Sequence, residues 1–314
     1  MISIPNKTKQ FLVLLLKLLV VAGAFYFIYA RLATEDKLDW QKFQELVWSK
    51  TSIWSILFVL SLTFLNRFLE ILKWQNLVQI IKSISIKEAT EQVLGALTLA
   101  LFTPNGIGEY AAKALFFDKI KTKKVIFLNL ICNGIQLVLT IVFGAFGLLY
   151  FNTKFNVISS TTVMVLFAIC VLTFGFLFLS KKISFKGYSI EKLIHKLNEI
   201  PKSVHQKNAF LGLLRYLTFS HQYYFLFLLF DVQIPYVLLM ATITSVYFLA
   251  SSLPSFQFLD FAVKGSVAVY FFSLLGVNEW IVIFISTLMW FLNTVIPVVL
   301  GSYFVLNFKT RWKS

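Results

Sequence analysis

The sequence predicts an all-α integral membrane protein with about six full transmembrane helices and two re-entrant broken helices in an inverted repeat. Hydrophobic side chains make up 58% of the 314 residues, above the roughly 45–50% of soluble domains. Apolar runs of about 20 residues recur along the whole length, and each is long enough to cross a bilayer. Two further apolar runs stop abruptly at a proline. We therefore expect a single polytopic membrane domain over residues 1–314.

Six full spans are expected. In chain order they cover residues 11–30, 50–71, 125–151, 157–179, 208–230 and 280–306. The first follows only two lysines, as a signal peptide would, but no small-x-small cleavage site comes after it. It is therefore predicted to be a membrane span like the other five.

The two broken helices are expected at 93–102 and 236–253, just before Pro104 and Pro254. The first is too short for a span, and the second is cut off by its proline. Proline lacks a backbone N–H and restricts the residue before it, so a helix commonly ends there. Each stretch is therefore predicted to be a half-helix that enters the bilayer and stops.

Charge distribution predicts the topology. If the N-terminus is cytoplasmic and both broken stretches return to the side they entered from, cytoplasmic segments hold 20 Lys and Arg and the opposite side holds six. This is a positive-inside pattern. It predicts cytoplasmic N- and C-termini in a cell inner membrane. It also explains the net charge of +15, so no nucleic-acid partner is expected.

Two polar segments show amphipathic spacing. Residues 39–47 and 190–200 place apolar side chains on one helical stripe, which is typical of helices that lie at a membrane surface. The second would lie on the cytoplasmic side, where its lysines could attract anionic headgroups. An ordinary solvated loop helix is the alternative for that segment.

Composition argues against metal, disulfide and enzyme chemistry. Cys132 and Cys170 both fall within predicted spans, where thiols behave as small hydrophobic groups. None of the three histidines pairs with another at the i, i+4 spacing of a helical zinc site. No nucleophile–base pair is visible, so we expect no metal, no cofactor and no catalytic activity.

The two broken stretches carry matching residues. An offset of 150 relates Leu99, Ala100 and Pro104 to Leu249, Ala250 and Pro254. An offset of 151 relates Glu109, Tyr110, Ala111 and Lys113 to Asp260, Phe261, Ala262 and Lys264. The matches predict pseudo-repeats at approximately 50–155 and 205–306. Because the two stretches would enter from opposite sides, the repeat is inverted, as in transporters that bind substrate between discontinuous helices.

The first break, TPNGIGEYAAKA at 103–114, is predicted to be the tip of a re-entrant hairpin. Pro104 ends the descending half-helix, and Asn105 lies at the tip. Gly106 and Gly108 allow left-handed backbone angles and close approach of a ligand. A new helix starting near Gly108 would offer free N–H groups and a positive dipole end to an anion such as a lipid phosphate. These four residues are predicted to contact substrate.

Acid–lysine pairs follow both breaks. Glu109 and Lys113 are at i, i+4 spacing, and so are Asp260 and Lys264. Ionisable residues at membrane depth are commonly functional, which makes all four candidate substrate contacts. The alternative is a purely local ion pair. The second pair is the weaker candidate because residues 255–259 contain no glycine that would form an open anion cradle.

Three more charged residues within spans are candidates for the same cavity. Arg67 can reach Glu70 at i+3, and Asn66 shares a helix face with Glu70. Arg67 is predicted first as the partner of Glu70, with ligand binding as the alternative. Arg215 on a later span is the third candidate.

The sequence resembles a known family, the lysylphosphatidylglycerol synthase transmembrane-region family. Its Pro-x-Arg-x-Gly-Glu motif is matched by residues 104–109. Lys73 and Trp74 resemble its basic-Trp pair, and Asn293, Pro297 and Gly301 resemble its closing Asn, Pro and Gly. For Asn293 and Pro297 the residues themselves favour a packing role, with proline kinking the helix and freeing a carbonyl.

The chain also departs from that family. Gly106 stands where the family usually has Arg, and Pro254 is followed by SFQFLDF instead of a glycine-rich segment ending in Glu. Members with synthase activity carry an additional soluble acyltransferase domain, which is not expected in a chain that ends at Ser314. The resemblance implies the membrane half alone, a flippase-like unit that moves a lipid headgroup between leaflets.

The expected function is a flippase for a membrane lipid or lipid-linked intermediate, with a cavity formed by the two re-entrant hairpins. The expected partners are membrane lipids, anionic or glycosylated, with a homodimer or an envelope-biosynthesis enzyme as further partners. Alternatives are a small-solute transporter, a membrane-embedded enzyme that depends on Glu109, and an accessory subunit for envelope glycolipid synthesis.

Overall fold

The computed structural model describes residues 52–101, 103, 106–159, 161–162, 189–253 and 260–308. The described parts are helical and contain no strand. Several predictions concern residues outside them: the span at 11–30, most of the span at 157–179, the amphipathic segment at 39–47, and Pro104, Asn105 and Pro254.

Four helices form the first half of the described chain. They are α1 (Ile53–Val78), α2 (Ile86–Ala100), α3 (Gly108–Ala114) and α4 (Thr122–Phe155), with a 3₁₀ turn at Lys119–Lys121 before α4. The prediction of a ten-residue half-helix at 93–102 was wrong at its start, because α2 begins at Ile86. There the Ser85 hydroxyl accepts from the Glu88 N–H, and the Glu88 carboxylate accepts from the Ser85 N–H. This capping box satisfies N–H groups that would otherwise be exposed at the helix start.

Six helices form the second half. They are α5 (Ile190–Asn198), α6 (Lys202–Leu229), α7 (Tyr236–Ser252), α8 (Asp260–Ser273), α9 (Glu279–Trp290) and α10 (Ile296–Asn307), with a π-helical turn at Phe291–Val295 between the last two. The helix predicted at 236–253 is confirmed as α7, and the amphipathic segment at 190–200 is confirmed as the helix α5. Its position at a membrane surface stays a prediction.

Three helical segments of the described chain are long and apolar enough to cross a membrane: Ile53–Val78, Lys119–Phe155 and Glu279–Asn307. They coincide with the spans predicted at 50–71, 125–151 and 280–306. Helix α6 covers the span predicted at 208–230 but is not one of these three, and α7 is a shorter apolar helix. The membrane character is thus supported, while the count of six full spans stays a prediction.

Helices of the first half pack against helices of the second half. Helix α1 lies along α6, α4 lies along α7, and α10 lies along α2. Glycines allow the last two crossings, since a Cβ at Gly147 would overlap Ala241 and Thr244 of α7, and a Cβ at Gly301 would overlap Leu94 of α2. The last helix of each half therefore packs against the helix that precedes the break in the other half.

Two buried apolar clusters flank a polar section of α1. One contains Val59 together with aromatic residues such as Phe227 and Phe271, and the other contains Ile71 and Trp74. Lipid tails are as apolar as these side chains, so van der Waals packing is what stabilises the clusters within a membrane. Between Val59 and Ile71, the polar residues Asn66, Arg67 and Glu70 line the cavity described next.

Candidate functional site

A cavity of about 300 Å³ lies between the two halves of the bundle and is lined by α1–α4, α6–α9 and the π-helical turn. It brings together six of the predicted site residues: Arg67, Glu70, Glu109, Arg215, Asp260 and Lys264. These side chains come from four helices that are far apart in the sequence. The cavity is therefore a product of the tertiary packing.

A carboxylate between two guanidinium groups forms one wall of the cavity. Arg67 Nη1 donates to Glu70 Oε2, which confirms the predicted i, i+3 pair. Arg215 Nη2, on α6, lies 3.3 Å from the same carboxylate oxygen. One negative charge is thus shared by two positive ones, and this Arg67–Glu70–Arg215 triad has a net charge of +1.

Arg67 is also held by the backbone of the π-helical turn. Its Nη2 donates to the carbonyl oxygen of Asn293 at 2.5 Å. In a regular helix that carbonyl would accept from the N–H four residues on, but that residue is Pro297, which has no N–H. The sequence predicted a carbonyl oxygen left without its backbone N–H donor, and the Asn293 carbonyl is that group. It accepts a hydrogen bond from Arg67 instead. Short π-helical turns of this kind occur frequently at functional sites.

The Asn293 side chain joins a buried polar chain across three helices. Asn66 Nδ2 donates to Asn293 Oδ1 at 2.6 Å, and Asn293 Nδ2 donates to Gln222 Oε1 at 3.0 Å. Gln222 in turn donates to Thr63 Oγ1 at 2.7 Å. The prediction of a packing role for Asn293 was incomplete, because this residue also lines the cavity. Its hydrogen bonds to α1 and α6 depend on helix contacts that its position in the sequence does not reveal.

Gln136 on α4 also lines the cavity, although it was not among the predicted site residues. Its Oε1 accepts from Arg215 Nη1 at 3.2 Å. The Nε atoms of Arg67 and Arg215 and the Nε2 atom of Gln136 are buried and have no hydrogen-bond acceptor among the described residues. A polar amide in the middle of the apolar run at 125–151 was the available signal for Gln136.

The Glu109–Lys113 pair on α3 is buried. Lys113 Nζ lies 2.5 Å from Glu109 Oε1, donates to Asn129 Oδ1 at 2.8 Å, and lies 4.5 Å from the ring centroid of Trp74. Trp74 is itself held by a hydrogen bond to Gln92 Oε1 at 2.7 Å. Glu109 lines the cavity, whereas Lys113 lies behind it and anchors α3 to α1 and α4.

The corresponding pair on α8 is more open. Lys264 Nζ lies 2.5 Å from Asp260 Oδ2, and the two side chains are 35% and 31% exposed. Lys264 also lies 5.6 Å from the ring centroid of Tyr247 on α7. Both predicted i, i+4 pairs are thus confirmed as ion pairs, but the second is accessible from the cavity at both residues.

The tip of the first break differs from the prediction in one respect. Gly106 adopts the expected left-handed backbone with φ of 67°. The free N–H groups expected at the start of α3 are absent from the described tip, because the Gly108 N–H donates to Thr103 Oγ1 at 2.9 Å and the Glu109 N–H donates to the Gly106 carbonyl. The Thr103 hydroxyl caps the helix in place of an anion. Contacts of Gly106 and Gly108 with a substrate stay a prediction.

Metal-binding groups are not clustered in the described part of the chain, where no set of three or more His, Cys, Asp and Glu side chains lies together. Each of the three acids that line the cavity, Glu70, Glu109 and Asp260, is bound to a cationic side chain.

Comparison with known proteins identifies the family. A family model described as lysylphosphatidylglycerol synthase TM region matches residues 14–301, which is most of the chain. Comparisons with curated proteins and with solved structures find no match. The matched range includes the cavity residues on α1, α3, α6 and α8 and the closing Asn293, Pro297 and Gly301. The chain therefore belongs to the lysylphosphatidylglycerol synthase TM region family.

Proposed function

We propose that the protein is a flippase for a membrane lipid or lipid-linked intermediate, and that the cavity holds the polar headgroup as it moves between leaflets. The observation that carries this proposal is the placement of six ionisable side chains around one cavity within a bundle of apolar helices. Charged groups inside a membrane are costly and mark the pathways of polar substrates. Membership of the family ties the chain to lipid and envelope biosynthesis.

The geometry supports transport over catalysis. Each acid lining the cavity is bound to a lysine or an arginine, so none of them is poised as a free general base. A headgroup needs a polar path and no bond-breaking step, and a wall of paired charges provides that path. Acyl chains would stay in the lipid, because a cavity of about 300 Å³ holds only the headgroup.

Movement between leaflets is proposed to use an inverted repeat with two re-entrant tips. Support comes from the reciprocal packing, in which α4 pairs with α7 and α10 pairs with α2. Further support comes from the acid–lysine pairs, which follow both breaks and each place an acid, Glu109 or Asp260, at the same cavity. In transporters of this design the substrate site lies between the two discontinuous helices.

Accessibility of the two tips tests that arrangement. Single cysteines at Asn105 and Ser255, in a background with Cys132 and Cys170 replaced, are expected to react with a membrane-impermeant maleimide from opposite sides of the membrane. The reason is that inverted hairpins open to opposite faces. Labelling in intact cells and in inverted vesicles measures this, and labelling of both positions from one side would contradict the inverted repeat.

Lipid movement itself can be measured in liposomes that contain the purified protein. The protein is expected to expose inner-leaflet fluorescent phosphatidylglycerol to an external quencher, and Asp260→Asn is expected to slow this about tenfold, equivalent to about 1.4 kcal/mol. The substitution leaves Lys264 without its carboxylate partner in the cavity. Lys154→Gln, on the surface at the end of α4, is the matched control and is expected to retain the wild-type rate.

A small-solute transporter is the second candidate, because a cavity of about 300 Å³ would also hold a small polar solute entirely. Uptake of a radiolabelled solute into the same liposomes, without any movement of labelled lipid, would favour that function and refute the flippase.

A further inference from the structure

We infer that the cavity is selective for a headgroup of net negative charge, whose phosphate binds between Arg67 and Arg215 in exchange for the carboxylate of Glu70. This inference rests on the proposed function and specifies its substrate class. It follows from two features of the cavity wall: its charge balance and its unused hydrogen-bond donors.

The charges in and behind the cavity wall do not balance. The cationic side chains are Arg67, Lys113, Arg215 and Lys264. The acidic ones are Glu70, Glu109 and Asp260. Four cations against three acids leave an excess of one positive charge, and the predicted spans at 11–30 and 157–179 contain no Asp or Glu that would offset it. Uncompensated charge at membrane depth is costly, so an anionic ligand completes the site.

The Arg67–Glu70–Arg215 triad shows where the anion binds. Both guanidinium groups contact the same oxygen, Glu70 Oε2. Each guanidinium has five N–H donors in a planar fork, and the Nε donor of each is buried without an acceptor among the described residues. A phosphate group offers several acceptor oxygens and pairs bidentately with arginine. In this arrangement Glu70 occupies the site, and a phosphate that displaces it satisfies donors that one carboxylate oxygen leaves unused.

The same charge balance disfavours a cationic headgroup. An added amine would need a free carboxylate, but Glu109 is bound to Lys113 and Asp260 is bound to Lys264. An anionic phosphodiester lipid such as phosphatidylglycerol therefore fits the wall better than zwitterionic phosphatidylethanolamine, and much better than phosphatidylglycerol esterified with lysine.

The inference is tested by equilibrium binding of these three lipids to the purified full-length protein in detergent. Native mass spectrometry counts the lipid molecules bound to each protein. Phosphatidylglycerol is expected to bind at least tenfold more tightly than the other two. Arg215→Gln is expected to weaken its binding about tenfold, while Glu70→Gln is expected to strengthen it several-fold because the competing charge is removed. Lys207→Gln removes a charge from the exposed surface of the same helix and is expected to change nothing.

Arg215→Gln and Glu70→Gln are expected to change phosphatidylglycerol binding in opposite directions. This distinguishes ligand exchange from a structural role of the two residues. The inference is overturned if Arg215→Gln and Glu70→Gln both weaken phosphatidylglycerol binding, or if the lysine-bearing lipid binds as tightly as phosphatidylglycerol. Equal thermal stability of the variants, measured alongside, shows that folding is not the cause of any difference.

Soluble phosphate is distinguished from a lipid headgroup by competition with sn-glycerol 3-phosphate. Competition only at concentrations far above that of the lipid supports the lipid as the ligand. Equal potency would mean that the site binds a soluble phosphate compound. The inference of anion selectivity would then stand, but the inference that the ligand is a lipid headgroup would be overturned. Selective lipid binding without any lipid movement in liposomes would refute the flippase and leave the anion site standing.

Discussion

Replacing Gly301 with alanine is expected to destabilise the protein by about 2–3 kcal/mol, the upper part of the range for overpacked buried sites. Helix α10 crosses α2 so closely that a Cβ at this position would overlap the Leu94 carbonyl oxygen and the Thr98 hydroxyl. Backbone atoms cannot move aside as a flexible side chain can, so the two helices must separate. The measurement is thermal unfolding of the purified protein, followed by tryptophan fluorescence.

Gly147 is expected to behave in the same way, since its Cβ would overlap α7 at Ala241 and Thr244. Gly134 on the same helix α4 is the matched control, because nothing lies within 4 Å of a Cβ there. Alanine at Gly134 is expected to raise stability by up to about 1 kcal/mol, its ordinary helix-propensity gain. An equal effect of alanine at all three positions would show that the close helix crossings are not needed.

Replacing Lys113 with methionine is expected to cost about 3–5 kcal/mol, as is typical when one partner of a buried ion pair is removed. Lys113 is fully buried and lies 2.5 Å from the Glu109 carboxylate. Methionine would fill much of the space beneath Trp74 but would leave that carboxylate with no cation. Chemical or thermal unfolding measures the loss, and the double variant Glu109→Gln/Lys113→Met is expected to regain part of it because no buried charge remains.

Lys121→Met is the control for this prediction. Lys121 pairs with Asp118 at 3.2 Å, but the side chains are 44% and 63% exposed. Exposed pairs contribute about 0–1 kcal/mol, so this variant is expected to be nearly neutral. If Lys113→Met were equally harmless, the pair on α3 would not anchor this helix to α1 and α4.

Much of the cavity's chemistry could be predicted because it depends on spacing within one helix. Glu109 with Lys113, Asp260 with Lys264, and Arg67 with Glu70 are three or four residues apart, and each forms the predicted ion pair. Helical periodicity brings such side chains together whatever the rest of the chain does.

Predictions from local spacing were wrong where a polar side chain at a helix end binds a backbone N–H group. The Thr103 hydroxyl accepts from the Gly108 N–H, which was expected to be free, and the capping box at Ser85 starts α2 earlier than hydropathy indicated. Both outcomes depend on short polar side chains that satisfy backbone N–H groups at helix ends.

The sequence by itself determined the membrane character, the helix end after Ser252, the freed carbonyl four residues before Pro297 and the ion pairs within single helices. Each of these follows from composition, from the chemistry of proline or from helical periodicity. Only the tertiary structure decided that Glu70 is shared with Arg215, that Arg67 takes the Asn293 carbonyl and that Gln136 holds Arg215. These contacts join residues more than 70 positions apart, and they exist because particular helix faces pack together, which no spacing along one helix specifies.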